Sequence, residues 1–196
     1  MYSIRRSKER CPGFLEWISI AFCLLLFLFA GCGKTQNDLF PSGADKRPSV
    51  QSGTTGPSVG QNAPDFTASD SLGSAVTLSS VVSAHKGVVL YFTMWCPTCD
   101  SQMSYIRDFL IPAHPDVAFF AVDYVSATAA SARNAEVSNG FVGSGFIVLA
   151  DTAQAILNEY NSTMGTTVVI DKNNIIQMNE NFTNGSQLQS VLSSLP

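Results

Sequence analysis

Two kinds of apolar pattern organise the second half of the chain. "GVVLYFTM" (Gly87–Met94) is a continuous run of β-branched, aromatic and aliphatic residues, and "DVAFFAVDYV" (Asp116–Val125) is a second run of the same buried type. Such runs predict strands buried on both faces. Between them Met103, Ile106, Phe109 and Leu110 recur at three- and four-residue spacing. That spacing predicts a helix beginning after Cys96, with these four on its apolar side and Pro112 and Pro115 stopping it. "SATAASARNAEVSNG" predicts a helix closed by Asn139-Gly140. "GFIVLAD" reads as a short strand, and "TAQAILNEY" (Thr152–Tyr160) as an amphipathic helix. "TTVVIDKNNIIQM" predicts a hairpin, with strands Thr167–Ile170 and Ile175–Met178 around a turn at Asp171–Asn174. "SQLQSVLSSL" closes the chain as a helix. Upstream, "APDFTASDSLGSAVTLSSV" has a turn at "SLGS" and alternating Val76 and Leu78, a short hairpin. The order is β-α-β-α, then β-β-α. Strands joined by helical crossovers should run parallel, and the late hairpin adds antiparallel strands. The expected class is α/β: a central mixed sheet with helices on both faces and an N-terminal β-hairpin extension.

The N-terminal part follows another pattern. Arg5, Arg6, Lys8 and Arg10 precede "WISIAFCLLLFLFA", an apolar run of 14 residues from Trp17 to Ala30. A membrane span needs about 20 residues, so this run suits the core of a signal peptide. "FAGC" (Phe29–Cys32) resembles a bacterial lipobox, which implies cleavage before Cys32 and a lipid on Cys32. An uncleaved anchor helix is the alternative, and it exports the rest of the chain equally. The expected layout is a lipoprotein signal peptide over 1–31, a Gly/Ser/Pro/Thr-rich flexible tether over 32–60, and a folded domain over 61–196. This places a lipid-anchored domain in the cell envelope of a bacterium, facing periplasm or exterior. Composition agrees with a folded domain: 45% hydrophobic and 13% charged residues can build a core. A net charge of −4 offers no basic footprint for nucleic acid.

Export also sorts the five cysteines. Cys11 and Cys23 leave with the signal peptide and Cys32 takes the lipid. Cys96 and Cys99, in "WCPTC" (Trp95–Cys99), remain in a compartment that permits disulfides. They sit where a buried strand hands over to a helix. Cys96 at the helix N-terminus would be exposed, and the unpaired N–H groups there favour its thiolate. Cys99, a turn in and more buried, would resolve the mixed disulfide. Pro97 fits the first helical turn, where its missing N–H costs nothing. Thr98 is the second intervening residue, a position that tunes the reduction potential.

"VGQNAPDF", the strand running into "WCPTC", and "YNSTMGTTVVIDKNNII" together resemble the thioredoxin fold. More narrowly they resemble the redoxin (AhpC/TSA) superfamily and, within it, membrane-anchored thiol–disulfide oxidoreductases of the TlpA and ResA type. The resemblance runs from about Gly60 to the C-terminus. It implies an enzyme that needs no cofactor or metal, reduces protein disulfides, and is re-reduced by a membrane electron donor. It places Trp95 and Thr93 beside the cysteines and Met164, Gly165 and Thr166 on the opposite wall. Two positions depart from the family. Its cis-proline corresponds to Gly165, where a cis bond would cost about 2.5–4 kcal/mol against 0.5–1 before proline. A trans bond or a reshaped loop is therefore expected, and Gly165→Pro is expected to leave the protein folded. The buried acid that thioredoxins carry six residues before the first cysteine corresponds to Leu90. Glu136 and Glu159 are expected on solvated helix faces.

The rival reading is a peroxiredoxin-like thiol peroxidase, with Thr93 three residues before a peroxidatic Cys96. The proline of that motif is absent at Val89, and nothing marks the last arginine, Arg133, as its distant arginine. A zinc site would need two more ligands, and His85 and His114 read as surface residues. A purely structural Cys96–Cys99 bond would close too small a loop to stabilise much.

Overall fold

The computed structural model describes residues 50–196, residue 52 excepted. The signal peptide, Cys32 and most of the expected tether lie outside the described residues. Seven strands form one sheet: β1 (Thr67–Asp70), β2 (Ala75–Thr77), β3 (Gly87–Thr93), β4 (Val117–Asp123), β5 (Phe146–Ala150), β6 (Thr166–Asp171) and β7 (Ile176–Asn181). Their order across the sheet is β2-β1-β5-β4-β3-β6-β7. β3, β4 and β5 are mutually parallel, as their helical crossovers require. β6 and β7 form the antiparallel hairpin, and β6 lies antiparallel to β3. The N-terminal hairpin joins the other side through β1 and β5. The helices are α1 (Leu78–Ala84), α2 (Pro97–Tyr105), α3 (Ala129–Ser138), α4 (Ala155–Glu159) and α5 (Ser186–Ser194). This is a thioredoxin-like α/β fold.

Both central strands are buried along their whole length, and their side chains alternate between two apolar layers. On β3, Val89 and Tyr91 pack with Cys99, Met103, Ile106 and residues of α3 and α5. Val88, Leu90 and Phe92 point the other way, towards Leu78, Val82, Ile156 and Tyr160. Leu90 therefore faces away from the cysteines, and Tyr91 faces them.

Several elements differ from the sequence pattern, each for a local reason. Leu78 does not extend the hairpin but opens α1, which buries Leu78 and Val82 one turn apart. Asp65 caps this helix from outside it, accepting the Ser79 N–H at 2.9 Å and the Ser79 hydroxyl at 2.8 Å. The helix after Cys96 widens into a π-type turn over Ile106–Leu110, with the Ile111 N–H donating to the Ile106 carbonyl at 2.9 Å. The extra residue keeps Ile106 and Leu110 inside and turns Phe109 outward, 63% exposed. Phe109 is thus not on the apolar face its spacing predicts; its ring lies against Tyr105 instead. α4 begins three residues later than the pattern suggests, because the buried Asp151 carboxylate accepts the N–H groups of Ile156 and Leu157. Residues 54–60, expected in the tether, are pinned to the domain. Gly60 N–H donates to the Ile176 carbonyl at 2.8 Å, and the Asn179 amide donates to the Pro57 carbonyl at 2.8 Å.

Candidate active site

β3 ends at Thr93, and three residues carry the chain to the helix. Trp95 sits in the left-handed region at φ 59°, a conformation that costs a bulky residue energy and is held only by its surroundings. Two hydrogen bonds hold it here. Its N–H donates to the Thr93 hydroxyl at 3.0 Å and its indole Nε1–H to Asp123 Oδ2 at 2.8 Å. The Trp95 ring also packs 6.2 Å from the ring of Phe141. The chain then becomes extended at Cys96, which is the N-cap of α2, and Pro97 follows at the first helical position. Cys96 Sγ accepts the Cys99 N–H at 3.2 Å, so the sulfur itself caps the helix.

The two sulfurs lie 2.7 Å apart. Cys96 is half-buried and Cys99 fully buried, while Pro97 and Thr98 are exposed between them. Burial pushes the Cys99 thiol up. Hydrogen bonds from the Cys96 side chain, from backbone at Met94 and Cys96 and from the Thr93 hydroxyl outweigh it and hold the thiol below its ordinary value. The arrangement suits dithiol chemistry, with one sulfur accessible at a helix N-terminus and a second immediately behind it.

The residues expected on the opposite wall lie at and just before the start of β6, which pairs with β3. No peptide bond is cis among the described residues, and Gly165 is trans with φ 80°. Its N–H donates to the Phe92 carbonyl at 2.9 Å and its carbonyl accepts the Phe182 N–H at 2.8 Å. Gly165 thus stitches the end of β3 to the end of the last hairpin. Thr166 is buried and donates its hydroxyl to Asn181 Oδ1 at 2.9 Å, while Met164 is partly exposed. This geometry weighs against the expectation that Gly165→Pro leaves the protein folded, since proline fixes φ near −65° and has no N–H to give.

Other expected residues lie elsewhere. Glu136 is not on a solvated face. It is buried on α3, where its carboxylate accepts the Ser71 hydroxyl at 2.5 Å and the Arg133 guanidinium at 2.8 Å. This pairing ties α3 to the end of β1 and engages Arg133 as well. Glu159 is exposed. His85 is exposed, with its ring Nδ1 on the Val81 carbonyl at 2.9 Å, and His114 is half-buried in the turn before β4.

Two groups at the site escape the sequence pattern. Asp123, at the end of β4, is fully buried and takes the Val125 and Ser126 N–H groups, both at 3.0 Å, in addition to Trp95. Its parallel partner on β3 is Thr93, so strand register brings it under the motif. Asp123→Ala would take the acceptor from three part-buried donors, where water can replace some of the lost bonds. We expect a loss of about 1–3 kcal/mol, read as a lower urea midpoint at unchanged slope. The second group is Tyr91 with Gln102. The Tyr91 hydroxyl donates to Gln102 Oε1 at 2.6 Å, and Gln102 Nε2 donates to the Phe182 carbonyl at 3.3 Å. Two-residue counting back from Thr93 would have found Tyr91 on the cysteine face.

With this geometry in place, comparison with known proteins is informative. The Redoxin family model matches residues 58–192. No similar sequence was found among curated proteins. Solved structures of the same fold include a putative protein disulfide isomerase from Bacteroides thetaiotaomicron, at TM-score 0.58 and 22% identity, covering 69% of this chain and 86% of that one. The peroxidoxin BcpB from Mycobacterium tuberculosis aligns at TM-score 0.56 and 19% identity, over 70% of this chain and 95% of that one. A secreted Mycobacterium tuberculosis disulfide oxidoreductase homologous to E. coli DsbE aligns at TM-score 0.53 and 20% identity, over 66% and 96%. At such identities the structural likeness speaks for the fold. The family model spans the whole sheet and the cysteine pair, and the chain belongs to the Redoxin family.

Proposed function

We propose that Cys96 and Cys99 form the working dithiol of an exported, lipid-anchored thiol–disulfide oxidoreductase of the TlpA/ResA type, acting on protein disulfides. Family membership supports redox chemistry on sulfur in general terms. The observation that carries the finer reading is the pair itself: a half-exposed sulfur capping α2 with a fully buried sulfur 2.7 Å behind it. Cys96 thiolate attacks one sulfur of the substrate disulfide, and the other leaves as a thiol. Cys99 then attacks Cys96, closing the internal disulfide and releasing the second substrate thiol. Two electrons pass from the dithiol to the substrate. A membrane electron donor would restore them, and the lipid on Cys32 would keep the domain within reach of that donor.

The test is a redox titration of the full-length chain with the Cys96 and Cys99 peptides followed by mass spectrometry. The expected result is a two-electron couple between dithiol and an internal Cys96–Cys99 bond. Its potential should lie towards the reducing end of the range from about −270 to −120 mV spanned by C-x-x-C proteins. Cys99→Ser should accumulate mixed disulfides on Cys96. Absence of the internal bond after mild oxidation refutes the reading. Peroxide consumption that persists in Cys99→Ser with an external thiol favours the peroxidase. Two observations weigh against that rival: the Thr93 hydroxyl serves Trp95 and Cys99, and Arg133 is engaged by Glu136.

A further inference from the structure

We propose that Tyr91 is the positioning residue of the resolving thiol. Its hydroxyl, held by Gln102 in the space that Gly165 leaves empty, is the hydrogen-bond partner from which Cys99 attacks. The proposal rests on the dithiol reading above and links the two positions at which this chain departs from its relatives.

The first link is strand phase. Leu90, at the place of the family's buried acid, packs against Leu78, Val82 and Tyr160 on the far side of the sheet. Tyr91 shares the cysteine layer with Cys99 and Met103 and is fully buried. Its hydroxyl meets Gln102, one helical turn on from Cys99, within the buried cluster that holds the Cys99 sulfur. Burial, and then the two nearby sulfurs, push the phenol far above its ordinary value. Tyr91 is therefore a permanent O–H at working pH: it cannot take the Cys99 proton as a carboxylate could, but it can donate to the Cys99 thiolate.

The second link is space. A phenol has one proton to give, and here it goes to Gln102 Oε1 at 2.6 Å. A Cβ on residue 165 would lie 3.2 Å from that same oxygen, tighter than ordinary contact. Glycine at 165 thus leaves room for the Gln102 side chain, which in turn fixes Tyr91 from α2. The other ionisable groups around Cys99 are few. Cys96 and Asp100 come from α2, Asp100 being exposed. Asp123, bound to Trp95, and Tyr124 come from the end of β4, and Tyr124 is raised by burial and then by the same two sulfurs. From the turn after α2, Arg107 and Asp108 pair with each other, and Arg107 lies over the Phe141 ring.

In the resolving step Cys99 loses its proton, its sulfur bonds to Cys96 Sγ, and the bond from Cys96 to the substrate sulfur breaks. The proton that Cys99 loses ends on the departing sulfur, so a thiol and a mixed disulfide become an internal disulfide and a free thiol. The Tyr91 hydroxyl swings from Gln102 to Cys99 Sγ as the thiolate forms. A hydrogen bond to a charged group is worth enough to shift a thiol by about one to two pH units.

The experiment uses the full-length reduced chain and glutathione disulfide. Samples are acid-quenched, and the Cys96 mixed disulfide is followed by peptide-resolved mass spectrometry, its rise reporting Cys96 attack and its decay reporting Cys99. Tyr91→Phe should leave the rise unchanged, slow the decay at pH 7 about tenfold, and move the midpoint of its pH profile up by about one unit. Gln102→Leu removes the competing acceptor, so the same midpoint should move down. Opposite shifts support the proposal; a merely structural role would slow both phases or shift both variants alike. Unchanged decay midpoints, or shifts of the same sign, overturn it. No Cys96 mixed disulfide in the unsubstituted protein would instead sink the dithiol reading.

Discussion

Serine in place of Cys96 is expected to lower disulfide exchange by about a thousandfold or more while leaving the domain as stable as before. The two halves of this expectation come from the same geometry. Only a thiolate attacks a disulfide, and a serine hydroxyl is not ionised at neutral pH. If Cys96 is the attacking sulfur proposed above, its removal takes away the pathway rather than slowing one step of it. The fold should hardly notice. Cys96 is the N-cap of α2 through its sulfur, which accepts the Cys99 N–H at 3.2 Å. Serine is among the preferred residues at that position, so its hydroxyl takes over the cap. Thermal unfolding within a few degrees of the unsubstituted protein, alongside undetectable exchange, is the expected pair of readings. Residual exchange near the original rate would place the attacking sulfur on Cys99. Loss of exchange together with unfolding would leave the cap, not the chemistry, as the role of Cys96.

The strand runs, the parallel core and the closing hairpin were legible because burial on two faces leaves a continuous apolar signal at β3 and β4. The cysteine pair was legible because its spacing is local. What the pattern missed depends on contacts and turns that apolar spacing does not encode. α1 is capped by Asp65 from outside the helix, and α4 is delayed by Asp151. Phe109 has the spacing of a buried residue but loses its place to one extra residue in the turn at Ile106–Leu110. Glu136 looks like any helix-surface acid until Ser71, brought alongside by the edge hairpin, closes over it. The same holds at the site. Nothing near Trp95 in sequence names Asp123 as the acceptor for its indole. Counting back from the motif led to Leu90, whereas the alternation of β3 assigns the cysteine face to Tyr91.

Proline in place of Gly165, the substitution that would restore the family's residue, is expected to destabilise this protein by about 3 kcal/mol or more. The resemblance implies a cis-proline at this position; here the loop is built around a trans glycine. At φ 80° the backbone of Gly165 occupies a region closed to proline. Its N–H is also in use, donating to the Phe92 carbonyl at 2.9 Å, so proline would leave that acceptor unpaired in the core at the end of β3. A side chain would further press on Gln102 Oε1, 3.2 Å from where a Cβ would stand. Gly165→Ala separates these costs. It keeps the N–H and retains the left-handed strain of about 1–2 kcal/mol, together with the contact on Gln102. Urea unfolding should rank the unsubstituted protein above Gly165→Ala and Gly165→Ala above Gly165→Pro. If Gly165→Pro proved as stable as the unsubstituted chain, the loop would have to rebuild with a different bond and a different partner for Phe92. The family's residue is thus incompatible with this chain's backbone, because the strand end, the hairpin and Gln102 have settled around its absence.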